Sequence, residues 1–209
     1  MQHKIISADC HIDLPWMPPE VFTDNASPKF RDRMPYVEQT PDGNRWVSKN
    51  GGQFGLVNGM GSAGRKYEPG VINRSDRMAA TGLYSDGEKG IRRLTDPELR
   101  LLDQDRDGVQ GEVLYGILGA SMRLNDPDAA REMLRIYNRW LEDFCATHLD
   151  RYAGIACLPN DDMDAAVREI EYLGERGVVR GVEIPCTLTM PALFDPVWHP
   201  LWKAAEAAN

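Results

Sequence analysis

No stretch of this sequence approaches the roughly 18 consecutive apolar residues that a membrane-spanning helix requires. The opening run MQHKIISADCHID turns polar early and carries neither an apolar h-region nor a small-residue cleavage site. Positive charge is also in short supply. Lys and Arg number 24 against 32 Asp and Glu, a formal charge of -8. Nucleic acids and anionic membrane surfaces both select basic patches, so neither is expected as a partner. Cysteine is sparse: Cys10, Cys145, Cys157 and Cys186 stand far apart and form no CxxC pair. That spacing offers no disulfide framework, and a reduced, cytoplasmic compartment is the expectation. The first turn lacks glycine and holds Pro15, Pro18 and Pro19 instead. An open-sheet nucleotide binder with a glycine-rich phosphate loop is thereby set aside.

What is present is globular in character. Hydrophobic residues make up 42% and charged residues 27% of 209 positions, enough for one domain of ordinary size. Lys4 to Asp9, with β-branched Ile5 and Ile6, reads as a short buried strand. From about Asp13 to Leu94 the chain is irregular and rich in Gly, Pro, Asn and Asp. Within it RWVS and QFGL flank Lys49-Asn50-Gly51-Gly52, an Asn-Gly hairpin signal. Loops of this length are usually functional, so residues 13–94 are read as an insertion or cap carrying one small hairpin.

Regular alternation begins at Thr95. Thr95-Asp96-Pro97-Glu98 is read as a capping box opening a helix to about Asp105, with Leu99 and Leu102 inward. Val113-Leu114-Tyr115 reads as a strand. Asp126-Pro127 opens a helix with Met133, Ile136, Tyr137, Trp140 and Phe144 at helical spacing. Tyr152 to Leu158 is a third strand, and Asp161 or Asp162 caps a third helix that ends at Gly174 and Gly177. Val178 to Ile184 is a fourth strand, and Asp195-Pro196 opens a fourth helix through Trp198, Leu201, Trp202 and Ala205. Four β-α units imply a parallel sheet, either doubly wound or part of a (β/α)8 barrel.

Several short patterns bear on chemistry. Asp9 and His11 stand at the end of the first strand. Residues i and i+2 of a strand face one side, so a carboxylate oxygen and an imidazole nitrogen could share a zinc, manganese or iron ion. A satisfied interior histidine explains His11 equally well at this stage. Asp103 to Gly108 resembles the start of a calcium loop, but Leu114 occupies the twelfth position, where a bidentate acid is needed. A charged helix end turning at Gly108 is preferred. The glycine-rich Asn58–Gly64 run is read as a flexible loop. Trp16, Asn160, Cys186 and Thr187, and with them Ser121, lie beyond strand ends and are substrate-contact candidates. Cys186 has no histidine close in sequence to activate it and is read as a pocket-wall residue. His199 is assigned to a helix surface, and His3 and His148 to solvent.

In the order in which they occur, IISADCHIDLP, DPELRLLDQDRDGVQGEVLYG, YNRWLEDFCATHLDRYAGIACLPNDDMDAAVREIEYLGERGVVRGVEIP and FDPVWHPLWKAAEAAN resemble one family. It is the amidohydrolase-related family that includes aminocarboxymuconate-semialdehyde decarboxylase and the resorcylate-type decarboxylases. The resemblance covers roughly residues 1–12 and 95–209. It implies an α/β fold, the N-terminal half of a (β/α)8 barrel of four β-α units, with 13–94 inserted after strand one of a single domain over 1–209. It also implies one divalent metal, zinc first and manganese second, with Asp9 and His11 as the acid-x-His ligands. The family's remaining ligands, a histidine after strand five and an aspartate after strand eight, have no counterpart here, nor has the histidine after strand six. The chain is therefore expected to be an incomplete barrel that associates through its open edges or as a dimer. The implied activity is non-oxidative decarboxylation of an unsaturated or aromatic carboxylic acid. Hydrolysis of an ester, lactone or amide, or an inactive half-barrel association module, are the rival readings.

Overall fold

The computed structural model describes residues 5–208, so the expectation for His3 falls outside the described residues. The first strand, β1 (Ile6–His11), leads through a 3-10 turn into helix α1 (Val21–Asn25). Strands β2 (Tyr36–Thr40), β3 (Gly43–Val47) and β4 (Gln53–Leu56) follow as an antiparallel sheet in the order β2-β3-β4. The β3–β4 hairpin is the one its Asn-Gly turn signals. Helices α2 (Asn73–Ala80) and α3 (Leu83–Glu88) complete a segment that is more structured than its composition suggests.

The second half alternates. Helix α4 (Pro97–Asp107), strand β5 (Gly111–Tyr115), helices α5 (Leu118–Met122) and α6 (Pro127–Ala146), strand β6 (Tyr152–Cys157), helix α7 (Met163–Arg176), strand β7 (Gly181–Glu183) and helix α8 (His199–Ala207) follow in order. Strands β1, β5, β6 and β7 form a sheet in that order, and all three pairings are parallel. A parallel sheet flanked by its crossover helices is the α/β architecture the alternation implies.

The start and stop signals hold with local corrections. Asp126 and Asp162 cap α6 and α7 by accepting from the Ala129 and Ala165 amides. At α4 the cap is Asp96, which accepts from Glu98 and Leu99. Thr95 is not the cap, because its hydroxyl donates to the Trp16 carbonyl. Gly177 (φ 67°) ends α7, whereas Gly174 lies inside the helix, where Ala208 of the α8 end leaves no room for a Cβ. Asp195-Pro196 opens a 3-10 turn that passes into α8.

Helix α4 also turns a different face inward from the one expected. Leu102 is 65% exposed, and Arg100 and Gln104 are buried in its place. The cause is Glu112 on β5, which points at the helix and accepts from Arg100 Nε at 2.6 Å and Gln104 Nε2 at 2.9 Å. A buried carboxylate demands such donors, and that demand outweighs the leucine.

One hydrophobic cluster ties Leu14, Met17, Phe22, Met34, Trp46 and Phe54 of the inserted segment to Leu114, Met133, Tyr137 and Leu141 of the β-α units. A smaller one joins Leu158, Ile170, Trp198 and Leu201. The Asn58–Gly64 run is not the loose loop its glycines suggest. A Cβ on Gly55 would lie 2.1 Å from the Ala63 carbonyl oxygen, and one on Gly64 would lie 2.7 Å from the Leu56 nitrogen. These glycines let backbones pack face to face. No helix among the described residues is long and apolar enough to cross a membrane.

Candidate metal centre at the end of the first strand

Strand β1 does not pair evenly with β5. Ser7 opposes Glu112 and Cys10 opposes Leu114, so three steps on β1 match two on β5. This is a β-bulge, a device that re-aims side chains. Its effect is visible at Cys10, whose sulfur lies 3.0 Å from Ser7 Oγ and 3.2 Å from Glu112 Oε1. Residues three apart face opposite sides of a regular strand, whereas here both face the helix layer. Asp9 and His11 are left on the other face, with Oδ1 and Nε2 3.2 Å apart and side chains 91% and 51% exposed. The His11 ring lies beside Tyr115, its neighbour on β5.

The two atoms lie within hydrogen-bonding distance of each other, and the same separation suits two donors of one ion. Ligands held at about 2.0–2.2 Å around a tetrahedral or octahedral cation lie roughly 3.0–3.5 Å from each other. One carboxylate and one imidazole therefore fit a divalent metal as part of its donor set. No group of three or more His, Cys, Asp or Glu side chains among the described residues completes it.

The surroundings are polar and organised. Asp13 is half-buried where the chain leaves β1. Burial pushes its carboxyl up, opposed by the nearby charges of His11 and Arg123. Asp13, Arg123, Ser62 and Gly116 line a hollow of about 190 Å³. On the helix side, burial would raise the Glu112 carboxyl. The Arg100 charge and the hydrogen bonds from Arg100, Gln104 and Cys10 outweigh it and hold the carboxyl below its ordinary range. Burial pushes the Cys10 thiol up, and the adjacent Glu112 charge acts in the same direction.

At the far strand ends, Glu183 Oε1 accepts from the Gly116 amide at 2.8 Å and from the Cys157 thiol at 3.2 Å. Asn138, fully buried on α6, donates to the Cys157 carbonyl and accepts from the Cys157 amide, each at 2.9 Å. Sequence reasoning missed Asp13, Arg100, Glu112, Arg123 and Glu183. An Arg-x-x-x-Gln pair one helical turn apart, followed by a lone Glu in a strand, was the available signal for the Glu112 cluster.

The remaining candidates scatter. Trp16 is buried, and its indole N–H donates to the Gly59 carbonyl. Asn160 donates to the Pro185 carbonyl at 2.6 Å and lines a cleft with Ser121, Pro159 and Asp161. Cys186 is exposed, and Thr187 is half-buried with its amide against Met190 Sδ. Ser121 is buried and donates to the Leu118 carbonyl. His148 is not free in solvent but sits 2.8 Å from Glu98 Oε1, and His199 is exposed at the start of α8. The calcium-like run is a helix end. Gly108 (φ 71°) terminates α4, and Asp103, Asp105 and Asp107 pair with arginines.

No family profile matches the chain. Over 134 residues it is 30% identical to gamma-resorcylate decarboxylase of Rhodococcus jostii, a match covering 60% of this chain and 40% of that protein. An amidohydrolase from Mycobacterium avium subsp. paratuberculosis superposes with a TM-score of 0.68 at 16% identity, over 100% of this chain and 56% of that one. The 5-carboxyvanillate decarboxylase of Sphingomonas paucimobilis gives 0.53 at 19% identity, over 98% of this chain and 49% of that one. The chain spans about half the length of the proteins it matches. In sequence it resembles a resorcylate decarboxylase over part of its length, and in fold it resembles an amidohydrolase and a carboxyvanillate decarboxylase.

Proposed function

We propose that this chain is the N-terminal half of a (β/α)8-barrel carboxy-lyase that removes CO2, without oxidation, from an unsaturated or aromatic carboxylic acid. The observation that carries the reading is the convergence of Asp9 Oδ1 and His11 Nε2 at 3.2 Å on the open face of a parallel sheet. The ends of such strands are where α/β enzymes place their chemistry. The sequence match to a resorcylate decarboxylase supports the choice of reaction.

Asp9 and His11 would hold one divalent metal. Both zinc and manganese suit an oxygen-nitrogen pair. When bound, such an ion supplies positive charge against the substrate carboxylate and the negative charge developing at its ring or double bond. Arg123 adds a cation beside the same mouth, and Asp13 offers a carboxyl that burial biases toward its protonated form. Asn160, Cys186 and Thr187 lie on the loops after β6 and β7 and would shape the substrate's surroundings. The segment 13–94 packs into the same core as the β-α units and would act as the cap that fixes specificity.

The test is a titration of the purified chain with Mn²⁺ or Zn²⁺, alongside Asp9→Ala and His11→Ala. Saturable binding lost in both variants supports the reading. Binding indifferent to both overturns it. A decarboxylation assay with 2,6-dihydroxybenzoate then separates a carboxy-lyase from a hydrolase built on the same two residues. One observation favours the association module as a second reading: Ile5 and Ile6 at the β1 edge and Leu188 and Phe194 after β7 are exposed apolar side chains. Concentration-dependent self-association without metal uptake would select it.

A further inference from the structure

The helix side of the sheet holds a second, largely buried polar cluster. Arg100 and Glu112 form an ion pair with side chains 7% and 12% exposed. Glu112 also receives Gln104 Nε2 and the Cys10 thiol. Arg100 extends its Nη1 to the Leu94 carbonyl at 2.9 Å and the His11 carbonyl at 3.5 Å. The Asp9-Cys10-His11 triplet is thus contacted from behind at the Cys10 side chain and at the His11 carbonyl. The bulge before Cys10 is pinned by Glu112, and the carbonyl of His11 lies against Arg100.

A bulge in an edge strand is a soft element. One neighbour is missing, and its extra residue is unpaired in the ladder. Left alone, β1 could slip by a residue, and such a slip exchanges the faces of every side chain beyond it. Cys10 would then turn to the open face, and Asp9 and His11 would turn inward. A buried charge pair with four hydrogen-bonding partners resists that exchange strongly, because the slip would leave Glu112 and Arg100 short of partners in a desolvated layer.

We propose that the Arg100–Glu112–Gln104 cluster is a positioning device for the metal pair. It acts through Cys10 to lock the β1 bulge in the register that aims Asp9 and His11 at one point. None of its members is one of the two proposed ligands. The inference rests on the metal reading above for its purpose, but not for its mechanics.

The test uses the whole chain with Cys10→Ala, which removes the pin, and Cys10→Ser, which keeps a donor toward Glu112. In one arm Mn²⁺ binding is titrated. Cys10→Ala is expected to weaken it about 10- to 100-fold, as loss of a ligand's supporting hydrogen bonds does, and Cys10→Ser is expected to restore most of the affinity. Equal affinity in Cys10→Ala and the parent overturns the proposal, as does equal weakening in both variants. The other arm needs no metal. Hydrogen exchange is followed in β1 and, as reference, in β6. Cys10→Ala should speed exchange in β1 selectively, with Cys10→Ser close to the parent. Should the parent bind no Mn²⁺, the metal reading fails and the exchange arm decides alone: unchanged β1 protection in Cys10→Ala overturns the device, and selective loss upholds it.

Discussion

The two faces of the parallel sheet are built from opposite materials. Toward the helices stand Leu114, Tyr152 and Ala156, buried against α6 with Tyr137, Leu141 and Phe144, and the polar groups among them are partnered into Glu112 or Asn138. Toward the other side stand Asp9, His11, Val113, Tyr115, Ala153 and Ile155, all exposed or half-buried. The first face carries stability through area removed from water. The second contributes little to it, and in return its side chains are free to meet something else. A single strand serves both, because alternation sends neighbours to opposite faces and the β1 bulge shifts the phase.

This contrast can be broken experimentally, starting where the effect is largest. Glu112→Ala leaves the Arg100 guanidinium buried without its partner and is expected to cost about 3–5 kcal/mol in chemical unfolding; a loss under ~1 kcal/mol would show that the helix-side cluster is not what holds β5 to α4. Leu114→Ala opens a cavity in the closed face and should cost about 2–5 kcal/mol, whereas Val113→Ala, one residue away on the open face, should cost less than ~1.5 kcal/mol. Equal losses would mean that the open face is covered in solution.

A third measurement is unfolding free energy against pH. The Glu112 carboxyl titrates below its ordinary value in the folded chain, as does Asp126 beside Arg33. A group with a lowered folded pKa stabilises above its unfolded value, and that contribution disappears as pH falls through the folded one. Stability should therefore decline below the ordinary Glu value of 4.5, and Glu112→Gln should decline less steeply. The smallest effect is expected at Asp9→Ala in metal-free protein, within about 0.5 kcal/mol of the parent, because the side chain is 91% exposed. A larger change would give Asp9 a structural role.

The α/β alternation after Thr95 was legible because caps and turns there are local: Asp126, Asp162, Gly108 and Gly177 act within a few residues of themselves. The hairpin at Asn50-Gly51 was legible for the same reason. Helices α2, α3 and α5 were not, since each starts without a side-chain cap and α3 and α5 are only 6 and 5 residues long. Leu102 misled because a helix shows which face is apolar, not what waits in the layer below; Glu112 could be matched to Arg100 only through the tertiary fold. For the site, Asp9 and His11 could be paired by strand periodicity alone. Trp16 could not be placed by its position after a strand, because the packing of the glycine run over it decides its burial.

The reach of Glu183 across the sheet has one more consequence. Its carboxylate spans from β7 past Cys157 to the amide of Gly116, where a Cβ would lie 2.5 Å from the Tyr137 ring. The exits of three successive strands are stitched by one side chain over a residue that tolerates no bulk. Loop libraries meant to redirect this scaffold toward new ligands should therefore begin beyond Ile117 and Ile184. Inside those bounds a change at one exit is transmitted to the other two, and diversity becomes collapse rather than new recognition.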